Sequence, residues 1–170
     1  MGRMRIWAVA LLASALSAAA PLAGELSPPS GEVVLTVSGA ISVTNSGDRA
    51  ELDLDQLSGI ATERFTTTTI WTEGESTFTG VPLHALLERL GAEGSTLRAV
   101  ALNDYAVEIP VSDARPGGPI LAYERDGARM GVRDKGPLWV LYPYDASEDY
   151  RTEVIYARSI WQLAEIEVIP

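Results

Sequence analysis

A serine-type triad needs a histidine held between a hydroxyl nucleophile and a carboxylate. This chain has a single histidine, His84, and no cysteine. His84 falls in the first turn of an amphipathic segment, where a solvent-facing or rim position is expected, and no Gly-x-Ser-x-Gly turn is present. One histidine rules out two- and three-histidine metal sites. The lack of cysteine rules out disulfides, thiolate ligands and a thiol nucleophile. Carboxylates occur in pairs, Asp53/Asp55, Glu73/Glu75 and Glu148/Asp149, without an Asp-x-Asp-x-Asp-Gly calcium loop. Solvated surface is the expectation for all three pairs.

The aromatic residues offer more. Trp71, Trp139 and Trp161 each lie close to a turn or a strand edge. Each has two readings, core packing or a stacking platform for a flat heteroaromatic ligand. Amide, carboxylate and hydroxyl partners for such a ligand stand in Asn103, Asp104 and the run Thr66 to Thr69. A carboxylate accepts two hydrogen bonds from an aminopyrimidine edge, which makes Asp104 or a nearby acid a chemically sensible anchor.

These residues must be positioned by the elements around them. Phe65 to Ile70 is Thr-rich and β-branched and reads as a strand. Glu73, Gly74 and Glu75 form a turn, and Phe78 to Val81 re-enters the sheet. Pro82 opens a helix whose Leu83, Leu86, Leu87 and Leu90 share one face, and Gly91 stops it. Upstream, Val33–Ser38 and Ala50–Leu54 read as strands, with a turn at Asn45-Ser46-Gly47. A short helical turn at 55–60 has Asp53 or Asp55 as its cap. Downstream, Thr96–Leu102 and Tyr105–Ile109 pair around Asn103-Asp104, and Ile120–Arg125 pairs with Arg129–Val132 around Asp126-Gly127. Leu138–Tyr142 reads as a central strand, and Ile155–Ile169 as a long closing strand region. One helix of about nine residues among many short strands predicts an α+β domain with a mixed, mostly antiparallel β-sheet and few helices.

The N-terminus has Arg3 and Arg5 before an apolar run at 6–16, then small residues and Pro21, the pattern of a secretory signal peptide. Residues 1–23 are assigned to it, 24–31 to a flexible Pro/Ser-rich lead-in, and 32–170 to one domain. A periplasmic location follows as the expectation. Without Arg3 and Arg5 the chain keeps 11 basic against 23 acidic residues, a net charge of −12. Such a field repels nucleic acid and anionic membrane surfaces.

Several of these segments occur in a telling order: Phe78-Thr79-Gly80-Val81-Pro82-Leu83 with Leu86-Leu87, then Asn103-Asp104-Tyr105, Leu121-Ala122-Tyr123 with Asp126-Gly127, and Gly136-Pro137-Leu138. In this the chain resembles the molybdopterin-binding domain of the sulfite oxidase family, over roughly Val33 to Val168. The resemblance implies that domain's α+β fold and a pterin in a cleft lined by these loops. The family's metal-ligating cysteine would fall in the window Thr66 to Thr69, with Thr67 closest, and a neutral hydroxyl is a poor substitute for a thiolate. Trp139 stands where the family has a phosphate-binding basic residue, and Trp161 replaces a typical lysine. Lys135, Arg133 and Arg129 are the remaining nearby cations.

The chain is therefore most similar to a small exported, cysteine-less branch that binds pterin without catalysis. Such a branch reports ligand occupancy to a membrane signalling protein such as a regulator of a cyclic-di-GMP enzyme. The implied ligand is an unphosphorylated or reduced pterin. Trp139 or Trp161 would stack it, Asn103 and Asp104 would hold its edge, and Thr67, Thr68, Thr69, Trp71, Tyr105 and Lys135 would complete the site. The alternative is a molybdopterin-dependent oxidoreductase that holds the molybdenum cofactor through a non-cysteine ligand.

Overall fold

Pro82 sits where a strand turns directly into a helix, and its φ of −59° suits both. In the computed structural model, which describes residues 25–170, that strand is β4 (Glu75–Pro82) and the helix is α2 (Leu83–Arg89). The expected signal sequence lies outside the described residues. Gly91 (φ 57°) ends α2 in a Schellman arrangement: its N–H donates to the Glu88 carbonyl, and Ala92 N–H donates to the Leu87 carbonyl.

The strands form two five-stranded sheets where the sequence reading expected one. The first has the order β2 (Ala50–Asp53), β1 (Val33–Gly39), β10 (Leu163–Ile169), β5 (Thr96–Ala101) and β6 (Ala106–Pro110). Only the β1–β10 pair is parallel. The second runs β3 (Glu63–Thr68), β4, β7 (Ile120–Arg125) and β8 (Ala128–Arg129), with β9 (Trp139–Leu141) also on β7. The α+β class, the antiparallel bias and the small helix content all hold. Besides α2 the described residues contain α1 (Leu54–Ile60) and α3 (Glu153–Arg158).

Burial follows strand position. Ile120 to Tyr123 is buried at four successive residues, because β7 is covered on both faces. β5 alternates, with Leu97, Ala99 and Ala101 inward. Between β4 and β7 the register shifts at Thr79/Gly80. A Cβ on Gly80 would lie 2.3 Å from the Leu121 carbonyl oxygen, so this close approach of two backbones requires glycine. At the β7–β8 turn Asp126 and Gly127 both have positive φ (53° and 80°), as a two-residue hairpin loop demands.

Other expectations also need correction. The segment 155–169 is not one strand: Thr152 caps α3 through its side chain, and a 159–162 connection precedes β10. The acidic character of Glu153 favours a helix N-terminus here, and Ile155, the first residue of the expected strand region, is carried along by that cap. The pair Asp53/Asp55 is also split. Asp55 is exposed, whereas Asp53 is only 3 % exposed.

Asp53 is the N-cap of α1 and forms a reciprocal capping box with Gln56. The same carboxylate accepts from the backbone N–H groups of Ser30 and Gly31, each at 2.8 Å. Asn45 and Gln56 hold the Ser27 carbonyl. The expected flexible lead-in is thus tied down from Ser27 to Gly31. The N–H groups of Gln56 and Gly31 hold the Asp53 carboxyl below its ordinary range, against the opposing effect of burial.

A depressed carboxylate stabilises the fold above its unfolded value near pH 4, and that contribution disappears as pH falls through the folded value. Asp53→Ala is expected to lower stability at pH 7 by about 2 kcal/mol in urea unfolding. Asp53→Asn should flatten the acid limb of the stability curve below about pH 4. An unchanged acid limb in Asp53→Asn would show that this carboxylate does not carry it.

Candidate functional site

The polar run on β3 sets the site from one side. Thr66 and Thr77 face each other across β3 and β4, with their hydroxyls 2.8 Å apart. Thr67 is 1 % exposed. Its hydroxyl donates toward the Asp145 carboxylate (3.3 Å) and the Thr68 carbonyl (3.2 Å), and accepts from the Asp145 N–H (3.1 Å). Thr68 donates to Asp145 through both its N–H and its hydroxyl. The Thr68 N–H is the main reason that the Asp145 carboxyl lies below its ordinary range. Thr69 closes the run: its hydroxyl meets Thr72 at 2.7 Å and accepts from the Trp71 N–H. Thr67 and Thr68 therefore clamp the turn that carries Asp145, and Thr69 orients Trp71.

Trp71 is the hub of an aromatic cluster. Its ring centroid lies 5.6 Å from both Trp139 and Trp161, 5.7 Å from Tyr156 and 6.1 Å from Tyr144, all edge-to-face. Phe78 adds an edge contact to Trp139 at 5.6 Å. Trp139 itself is fully buried, and its Nε1–H donates to the Ser159 carbonyl at 3.1 Å. The core reading applies to this residue: it has no open face on which to stack a ligand. Trp161 is 36 % exposed. The Lys135 ammonium lies 4.4 Å from the Trp161 ring centre and 5.6 Å from that of Trp139.

A cavity of about 360 Å³ opens beside this cluster. Trp71, Tyr156, Trp161 and Tyr105 supply aromatic surface, and Asn103 and Gln162 supply amides. The structure thus brings together Trp71, Asn103, Tyr105 and Trp161 from the residues expected at the site. Asp104 does not line the cavity. It is exposed with φ 63°, and its N–H donates to the Ala101 carbonyl. A short acid tolerates that left-handed turn position, which gives Asp104 a structural reason to be there. Thr67, Thr68 and Lys135 do not line the cavity either: the two threonines hold Asp145, and Lys135 lies over the Trp161 ring.

Tyr156 and Gln162 are not among the residues the sequence offers, because a strand over 155–169 hides the helix and the connection that carry them. A Thr-capped turn before Tyr156 was the available signal. His84 does not reach this region's lining: it is half-buried on α2, with its Nδ1 sealed from water and unpartnered among the described residues.

The lining includes no charged side chain. That suits an uncharged ring system of the size a few hundred cubic ångströms admits, and gives a phosphate nothing cationic to meet. The molybdenum cofactor fits these residues poorly, because the Thr67 hydroxyl is already engaged as donor and acceptor and is not anionic. Among the described residues no group of three or more His, Asp or Glu could hold a metal ion, and no helix is long and apolar enough to cross a membrane. No protein-family model matches the chain, and no curated protein matches it.

Burial separates the two neighbouring tryptophans energetically. Trp139→Ala is expected to cost about 4 kcal/mol of stability. Trp161→Ala should cost about 2 kcal/mol, since 36 % of the residue is already exposed. Urea unfolding of both variants checks this, and equal costs would contradict the assignment of Trp139 to the core.

Proposed function

We propose that the protein is a periplasmic, non-catalytic pterin-binding module that reports ligand occupancy to a membrane signalling partner, such as a regulator of a cyclic-di-GMP enzyme. The observation that carries this reading is the 360 Å³ cavity with aromatic walls, amide groups and no charged lining residue. A flat, uncharged, hydrogen-bonding heterocycle matches it, and an unphosphorylated or reduced pterin is such a molecule. The order of the Gly-Val-Pro-Leu, Asn-Asp-Tyr and Gly-Pro-Leu segments, similar to that of the sulfite oxidase-type molybdopterin-binding domain, narrows the choice to pterins. The compartment rests on the N-terminal sequence pattern.

Reporting needs a physical route from cavity to surface. Trp161 is backed by Lys135, and Gln162 donates to the Val132 carbonyl at 2.8 Å. The segment from Gly131 to Asp134 is exposed. A ligand against Trp161 and Gln162 therefore biases the position of an exposed segment, and a partner that favours one arrangement reads occupancy from it.

The test is tryptophan fluorescence titration of the purified protein with a reduced, unphosphorylated pterin, together with a molybdenum assay on the same sample. Saturable quenching without molybdenum is expected. Trp161→Ala should weaken binding about tenfold or more, the scale of one lost stacking contact. No quenching together with stoichiometric molybdenum would overturn the proposal in favour of the oxidoreductase alternative.

A further inference from the structure

Gln162 has an unusual backbone for its residue type, φ 53°, and three hydrogen bonds hold it there. Its N–H donates to the Lys135 carbonyl, its carbonyl accepts from Leu102 N–H, and its side-chain Nε2 donates to the Val132 carbonyl. A carbonyl can only accept, so the amide is fixed with Nε2 toward Val132. Its Oε1 is left without a partner among the described residues. Asn103 is fixed in the opposite sense: its Oδ1 accepts from the Tyr105 N–H at 3.2 Å. A backbone N–H can only donate, so Nδ2 is the free atom. Both side chains belong to residues that line the cavity. Ser159, also in the lining, has its hydroxyl engaged inside the protein, donating to the Ile155 carbonyl and accepting from Tyr144.

The two amides of the lining therefore keep one free acceptor, Gln162 Oε1, and one free donor, Asn103 Nδ2, beside the donor-only indole N–H groups of Trp71 and Trp161. The Tyr105 and Tyr156 hydroxyls rotate and accept or donate equally, so they do not discriminate. We infer that Gln162 and Asn103 are specificity-determining residues that select a ligand with a lactam-type edge: a ring N–H given to Gln162 and a ring carbonyl received by Asn103. This rests on the pterin-type reading and refines it. A 2-amino-4-oxo pteridine carries such an edge. A 2,4-diamino pteridine has an acceptor nitrogen and an amino donor there, so both contacts become like against like. A site built for one pattern rejects the other because its polar groups are left unpaired.

The experiment titrates the purified protein with pterin and with 2,4-diaminopteridine, following tryptophan fluorescence. The wild type should prefer pterin by about 100-fold, from two contacts of about tenfold each. Asn103→Asp keeps the acceptor that Tyr105 N–H uses but replaces the free donor with an acceptor. It should shrink the preference to about tenfold or less by weakening pterin and strengthening the diamino compound. Gln162→Leu should weaken pterin about tenfold and leave the diamino compound no weaker. Equal wild-type affinities, or a preference unchanged in both variants, would overturn the inference while leaving a pteridine-binding module intact. Saturable binding of neither compound would overturn the proposed function and this inference with it.

Discussion

The burial of one indole organises this molecule. Trp139 lies on β9, which pairs with β7 of the second sheet, and it also bridges to Trp161 in the connection that leads into β10 of the first. Hydrogen bonds from Val140 to Ile160 and from Leu163 to Leu138 continue that seam. The indole leaves its N–H inside the protein, and an unpaired buried donor is costly. The Ser159 carbonyl satisfies it, which fixes the chain just before Trp161. The seam between the two sheets and the placement of Trp161 thus depend on one side chain finding a dry place and one acceptor.

Around that centre, hydrogen-bonded acids, Asp53 buried, Asp113 half-buried and Asp145 exposed, act as clamps for loops. Asp53 gathers the N-terminal segment and α1, and Asp145 is gathered by Thr67 and Thr68. Asp113 accepts from Arg158 at 3.0 Å and from the Tyr142 hydroxyl at 2.8 Å. Burial and the adjacent carboxylate keep that phenol a neutral donor. The Asp113 clamp secures the C-terminal end of α3, the helix that presents Tyr156 to the cavity. In a chain without disulfides, such carboxylate-centred networks fasten long connections that strand pairing leaves loose.

Charge is distributed in keeping with this division. The chain is strongly acidic, yet the cavity lining is uncharged. Lys135 lies against Trp161 and Trp139 and is not part of the cavity lining. Stacking and amide hydrogen bonds are left to recognise a ligand, and both reward shape and edge chemistry more than charge.

Local chemistry wrote much of the fold into the sequence. Pro82 and Gly91 bound α2, Asp126-Gly127 makes the tight hairpin, and Asn103-Asp104 makes the β5–β6 turn, because each depends on the φ preference of the residue itself. Trp71, Asn103, Tyr105 and Trp161, candidates in the sequence as aromatics or amides beside turns, come to line one cavity. Tertiary structure decided what depends on distant segments. It divided the strands into two sheets, buried Trp139 and left Trp161 exposed. It also made Asp53, one of the two cap candidates of α1, a clamp for residues more than twenty positions away. Burial and hydrogen-bond partnership are properties of a pair of segments, and no single stretch of sequence contains both members of the pair.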